Sequence, residues 1–127
     1  MEPVAPALAA RVVVVDDDMA VRQSLKFVLE VVGYRVTVCP ASLLEQADLD
    51  SAACLIVDHE LKPVTGLEIL VGLRGRGRST PAVLMSVGLA MNQMRLAREH
   101  DIAVVQKPIM DDNLFMAVEE AVASKRH

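Results

Sequence analysis

Arg11-Val12-Val13-Val14-Val15-Asp16-Asp17-Asp18 is a β-branched run that stops on three acids, the pattern of a buried strand ending at a polar edge. Immediately after it, Val21, Leu25, Val28, Leu29 and Val32 fall on one face of an amphipathic helix. Asp18 or Asp17 is a candidate N-cap for that helix, and Gly33 a candidate C′ residue. The alternation continues downstream. Tyr34 to Cys39 reads as a second strand closed by Pro40, and Ser42-x-x-Glu45 has capping-box spacing for a short helix. Cys54-Leu55-Ile56-Val57 is a third apolar run, and it too ends on an acid, Asp58.

A loop with Pro63 leads to Thr65-Gly66-Leu67-Glu68, a second capping-box spacing, with Leu67, Leu70 and Leu73 on the inner face of the helix it starts. Gly72, Gly75 and Gly77 among Arg74, Arg76 and Arg78 loosen that helix into a basic, solvated turn. Pro81 precedes a fourth strand, Ala82 to Met85, ending at Ser86. Met91 to His100 is a weaker helix with Met94 and Ala97 inward. Ile102 to Val105 is the fifth strand and runs into Lys107-Pro108. Asp111 or Asp112 caps a last helix carrying Leu114, Val118, Ala121 and Val122 on one face.

Five strands, each followed by a helix, imply an α/β fold with a doubly wound parallel sheet, because every parallel crossover needs a covering helix. Composition agrees. Of 127 residues, 53% are hydrophobic but only 2% aromatic, so the core is aliphatic, as strands covered on both faces require. The length allows one domain. A net charge of −4 leaves no basic stripe for nucleic acid. The longest apolar run, Ala82 to Met91, is too short to span a bilayer, and Met1 to Ala10 lacks the basic start of a secretory signal. Residues 1–10 read as a loose leader, 11–124 as the domain, and 125–127 as a tail, with the cytoplasm as the expected compartment. Cys39 and Cys54 are expected as free thiols. With 2-1-3-4-5, a usual order for doubly wound sheets, their strands both flank the first, roughly 9–10 Å apart, and a disulfide needs Cα atoms within about 7 Å. His59, His100 and His127 show no metal spacing and are expected in solvent; Met85, Met91 and Met94 are expected as core filler.

In such a sheet the C-terminal ends of the strands share one edge, where ligands bind. Asp16, Asp17, Asp58, Ser86 and Lys107 all fall there. Singly, each has a bland explanation: a helix-capping acid, a turn acid, a loop hydroxyl, a surface lysine before a turn. Together they put three carboxylates, a hydroxyl and an ammonium at one edge, which folding alone does not require. Crowded carboxylates repel, and a cation relieves them. Oxygen ligands without a His or Cys cluster favour Mg²⁺. Asp58 suits an in-line nucleophile for phosphoryl transfer, with Mg²⁺ and Lys107 balancing charge and Ser86 bonding a phosphoryl oxygen. The metal would take Asp17 directly, Asp58, the backbone carbonyl of Glu60, and Asp16 mainly through water.

Val14-Val15-Asp16-Asp17-Asp18, Ile56-Val57-Asp58 with Gly66 eight residues on, Leu84-Met85-Ser86 and Gln106-Lys107-Pro108 resemble the receiver (CheY-like) domains of bacterial two-component response regulators. The resemblance covers about Arg11 to Ser124. It implies a (βα)5 flavodoxin-like sheet in order 2-1-3-4-5, an aspartyl phosphate on Asp58, and a sensor histidine kinase or phosphotransfer protein as donor. It also implies a downstream output domain or effector protein, a signalling surface on the last two helices and strand five, and a cis Lys107-Pro108 bond, and it leaves open a homodimer on phosphorylation. Thr65-Gly66-Leu67-Glu68 and Val118-Glu119-Glu120-Ala121-Val122 resemble receivers that precede DNA-binding output domains.

Three positions depart from the family's pattern. Lys62, with Pro63 behind it, stands where the family usually has proline. Val87 replaces a small residue after the strand-four hydroxyl, and Val104 replaces the strand-five aromatic. Val87 and Val104 motivate a rival, a receiver fold working unphosphorylated as an interaction module. A Mg²⁺-dependent phosphohydrolase with an aspartate nucleophile is a second rival; there a further Asp usually follows two residues on, where this chain has Glu60 and no cap domain.

Overall fold

The computed structural model describes residues 9–109 and 112–125. Five strands, β1 (Arg11–Val15), β2 (Arg35–Cys39), β3 (Cys54–Asp58), β4 (Ala82–Ser86) and β5 (Ile102–Gln106), form one parallel sheet in the order β2-β1-β3-β4-β5. The helices among the described residues are α1 (Met19–Val31), α2 (Gly66–Gly75), α3 (Met91–Glu99) and α4 (Asn113–Lys125), with a 3₁₀ segment at Ala41–Gln46. The expected fold and strand order are therefore observed, with one α-helix fewer. No helix among them is long and apolar enough to cross a membrane. The N-terminal leader, apart from Ala9 and Ala10, falls outside the described residues, as do Asp111 and the end of the tail. The carbonyls of Ala9 and Ala10 accept hydrogen bonds from Arg35.

Side-chain alternation along the strands divides the core in two. Val12, Val14, Cys54, Ile56, Val83 and Met85 face α1 and α4, where Leu25, Leu29, Leu114 and Val118 meet them. Val13, Val15, Leu55, Val57 and Leu84 face α2, α3 and the 3₁₀ segment, through Leu67, Leu70, Leu73, Ala97 and Leu44. Both cysteines are buried and free.

Helix ends follow the sequence closely. Asp18 caps α1 through the N–H groups of Ala20 and Val21, and Gly33 takes the left-handed φ of +109° that closes it. Thr65 and Glu68 form the reciprocal capping box of α2. The carbonyl of Asp112 accepts the first hydrogen bond of α4, from Met116 at 2.8 Å.

Four expectations are corrected. Ser42 does not cap a helix; it lies inside the 3₁₀ segment, whose cap position is Pro40. Short connecting pieces of this kind are commonly wound as 3₁₀ turns. In α3 the inward positions are Leu96 and Ala97, while Met91 and Met94 are exposed. On α1 only Leu25 and Leu29 are buried; Val21, Val28 and Val32 remain on the surface. His59 is buried rather than solvated: the residue after Asp58 points to the opposite sheet face, and α2 covers that face.

Candidate functional site

Val15 lies opposite Val57 in the β1–β3 ladder, so the next residues, Asp16 and Asp58, emerge side by side. The N–H of His59 donates to the Met85 carbonyl at 2.8 Å, and that of Lys107 to the Ser86 carbonyl at 2.8 Å. Those bonds continue the sheet past its strands and bring Asp58, Ser86 and Lys107 to one edge. The Lys107-Pro108 bond is cis, as is Lys62-Pro63 in the loop after β3.

Lys107 Nζ donates to Asp58 Oδ1 at 2.5 Å and to Glu60 Oε1 at 3.0 Å. Ser86 Oγ donates to Glu60 Oε2 at 2.9 Å and accepts from the Gly88 N–H at 3.0 Å. The Val87 N–H donates to Glu60 Oε1 at 3.3 Å, while the Val87 side chain is exposed. Asp58 is buried, and its Oδ1 also accepts the Glu60 N–H at 3.2 Å; Oδ2 receives no hydrogen bond from a described residue. Val104, half-buried, packs on the α2–α3 side of the sheet.

Burial favours neutral Lys107, but hydrogen bonds to Asp58 and Glu60 outweigh it and raise the ammonium above its ordinary range. Burial pushes Glu60 up, while Lys107 and Ser86 more than offset it and hold the carboxyl low. Asp16 is raised, by burial first and then by the charge of Asp58, against the lowering effect of the Asp18 N–H.

Asp16 and Asp58, two adjacent buried acids with Lys107 paired to the second, supply oxygen ligands of the kind that suits a hard divalent cation. Asp17 faces solvent, and its Oδ1 accepts the Ala41 N–H at 3.0 Å. Among the described residues no three acid, imidazole or thiol groups stand together closely enough to hold a metal. The donor set fits Mg²⁺ in chemistry, with Asp17 turned toward the segment after β2.

Two contributors escaped the sequence reading. His59 Nδ1 accepts the Leu67 N–H at 3.4 Å, tying the end of β3 to the first turn of α2. The Glu60 side chain, expected to matter only through its backbone carbonyl, is the hub linking Lys107, Ser86 and Val87. Its place two residues after a strand-ending acid was the available signal.

The model of the response regulator receiver domain matches residues 12–119. The chain belongs to this family. Relatives of the receiver include the transcriptional regulatory protein FixJ of Bradyrhizobium diazoefficiens, 31% identical over 118 residues, covering 86% of this chain and 55% of that protein. FixJ of Azorhizobium caulinodans is 33% identical, covering 83% of this chain and 51% of that protein. The chain thus spans about half the length of these curated relatives. Among solved structures, a response regulator receiver domain from Clostridium thermocellum superposes with a TM-score of 0.81 at 22% identity, covering 92% of this chain and 97% of that one. At that identity the likeness speaks for the fold.

Proposed function

We propose that Asp58 accepts a phosphoryl group from a sensor histidine kinase or phosphotransfer protein, and that the domain relays this state to a downstream output domain or effector. The observation carrying the reading is the convergence of Asp58, Lys107 and Ser86 at the ends of three adjacent strands. Asp58 Oδ2 attacks phosphorus, the P–N bond to the donor imidazole breaks, and its electron pair stays on nitrogen. Lys107 holds the other carboxylate oxygen and faces the incoming negative charge; the Ser86 hydroxyl and Val87 N–H are the neighbouring donors for phosphoryl oxygens. Receiver domains in general use Mg²⁺, and here Asp17, Asp58 and the Glu60 carbonyl would hold it, with Asp16 mainly through water. The ion would supply charge neutralisation for the transferring group. The domain is a switch that catalyses only its own phosphorylation and slow dephosphorylation, working in the cytoplasm without binding nucleic acid itself. For the whole protein, the relatives' names support a transcription-regulating output, with a homodimer of the phosphorylated form as one route to it.

The unphosphorylated interaction module is the second reading, favoured by the outward turn of Asp17 and by Val104. A Mg²⁺ titration followed by amide NMR separates the two. The phosphorylatable switch requires weak binding that suffers more from Asp17→Asn than from Asp16→Asn; no binding by the parent favours the interaction module.

A further inference from the structure

Glu60 occupies its site in an unusual way for a loop acid. Its two carboxylate oxygens take the Lys107 ammonium at 3.0 Å, the Ser86 hydroxyl at 2.9 Å and the Val87 N–H at 3.3 Å. Those are the three donors that a phosphoryl group on Asp58 needs. A carboxylate and a phosphoryl face are alike to such donors: negative oxygens of similar spacing that accept charge-assisted hydrogen bonds. Resting on the phosphoryl-acceptor reading above, we propose that Glu60 is an internal stand-in for the phosphoryl group, a latch that fills the anion pocket until phosphorylation expels it.

The latch has two consequences. Ser86 and Lys107 are already drawn toward the pocket in the resting protein, so phosphorylation exchanges one anion for another there instead of recruiting free side chains. The group that moves is Glu60 itself, about one-third exposed and placed where it can swing into water. The apparent affinity of the pocket for an outside anion is also reduced by the fraction of time the latch is open.

Shortening the side chain tests this while keeping charge and backbone carbonyl in place. In Glu60→Asp the carboxylate is one methylene short of Ser86 and the Val87 N–H. In metal-free protein the Val87 amide resonance should therefore move between parent and variant, while after loading with Mg²⁺ and beryllofluoride the two should coincide. Beryllofluoride should bind the variant about tenfold tighter, as expected for a latch closed nine-tenths of the time. Equal affinities, a Val87 amide unchanged by the substitution, or a difference that survives loading would overturn the latch. Beryllofluoride binding by neither protein would overturn the phosphoryl-acceptor reading and the latch with it, whereas equal binding by both overturns the latch alone.

Discussion

Gly66 packs so closely on the backbone of Asp58 that a Cβ there would press into the Asp58 carbonyl oxygen and lie 2.8 Å from its carbonyl carbon. The first turn of α2 is thereby clamped on the end of β3, and the loop carrying Asp58, His59 and Glu60 is held between them. Gly66→Ala should cost about 2–3 kcal/mol, the upper range for overpacking, because backbone and not a flexible side chain must yield. Gly72→Ala, in the same helix, meets only the far end of Arg76 at 4.0 Å and should be neutral or stabilising by about 0.5–1 kcal/mol. Urea denaturation of the two variants checks the contrast; similar effects would show that the clamp is absent.

Asp16 tests the electrostatics. Its carboxyl is raised above the ordinary 3.8, so the fold holds the proton more tightly than the unfolded chain does. Stability is therefore lost as pH rises from the unfolded value through the folded one, and the deficit is complete at neutral pH. Asp16→Asn can keep the hydrogen bond from the Asp18 N–H while removing the charge. Without metal at pH 7 it should melt roughly 2–5 °C higher, as a stabilisation of up to about 1 kcal/mol does in a domain of this size. The gain should vanish near pH ~3, where the parent carboxyl is also neutral. Thermal melts at both pH values read this directly, and an Asn variant that melts lower at pH 7 would contradict it.

The buried thiols offer a check on the sheet. Cys54 begins β3 with no exposed surface, and burial pushes its thiol up to about 12; Cys39 is raised by burial too. A thiolate is the reactive form, so neither should react with a thiol reagent at pH 8 until the protein unfolds. Rapid labelling of native Cys54 would mean that β3 is not the central, covered strand.

Much of this was legible because the β-branched runs stop abruptly. Asp16, Asp58, Ser86 and Lys107 each interrupt or follow an apolar strand, and parallel topology carries those interruptions to one edge. Periodicity tells which way a side chain points, but not what covers it. Strand alternation turns His59 away from Asp58, yet its burial depends on α2 crossing that face, and α2 reaches it only because Gly66 has no side chain. Met94 shares apolar character with Leu96, and only the seating of α3 on the sheet decides between them. The role of Glu60 was hidden for a similar reason: its three donors come from the ends of β4 and β5, far away in sequence.

Val104 bears on how a phosphorylation signal would leave the site. It is β-branched, restricted in rotamer, and half-buried against the α2–α3 cluster, so it cannot sweep between buried and exposed positions as a ring does. Amide shifts on adding beryllofluoride and Mg²⁺ should concentrate at Ser86, Val87 and the following loop, with little at β5. Val104→Tyr should widen them. Equally large shifts across Val104 and α4 in the parent would contradict this.

The most direct measurement is the intact mass of the protein after incubation with acetyl phosphate and Mg²⁺. The parent should gain a single phosphoryl group and Asp58→Asn none, since among the described residues only Asp58 both neighbours Asp16 and pairs with Lys107. Labelling of Asp58→Asn to the same extent as the parent would place the acceptor elsewhere, and a parent that takes up no phosphoryl group from any donor would contradict the phosphoryl-acceptor function itself.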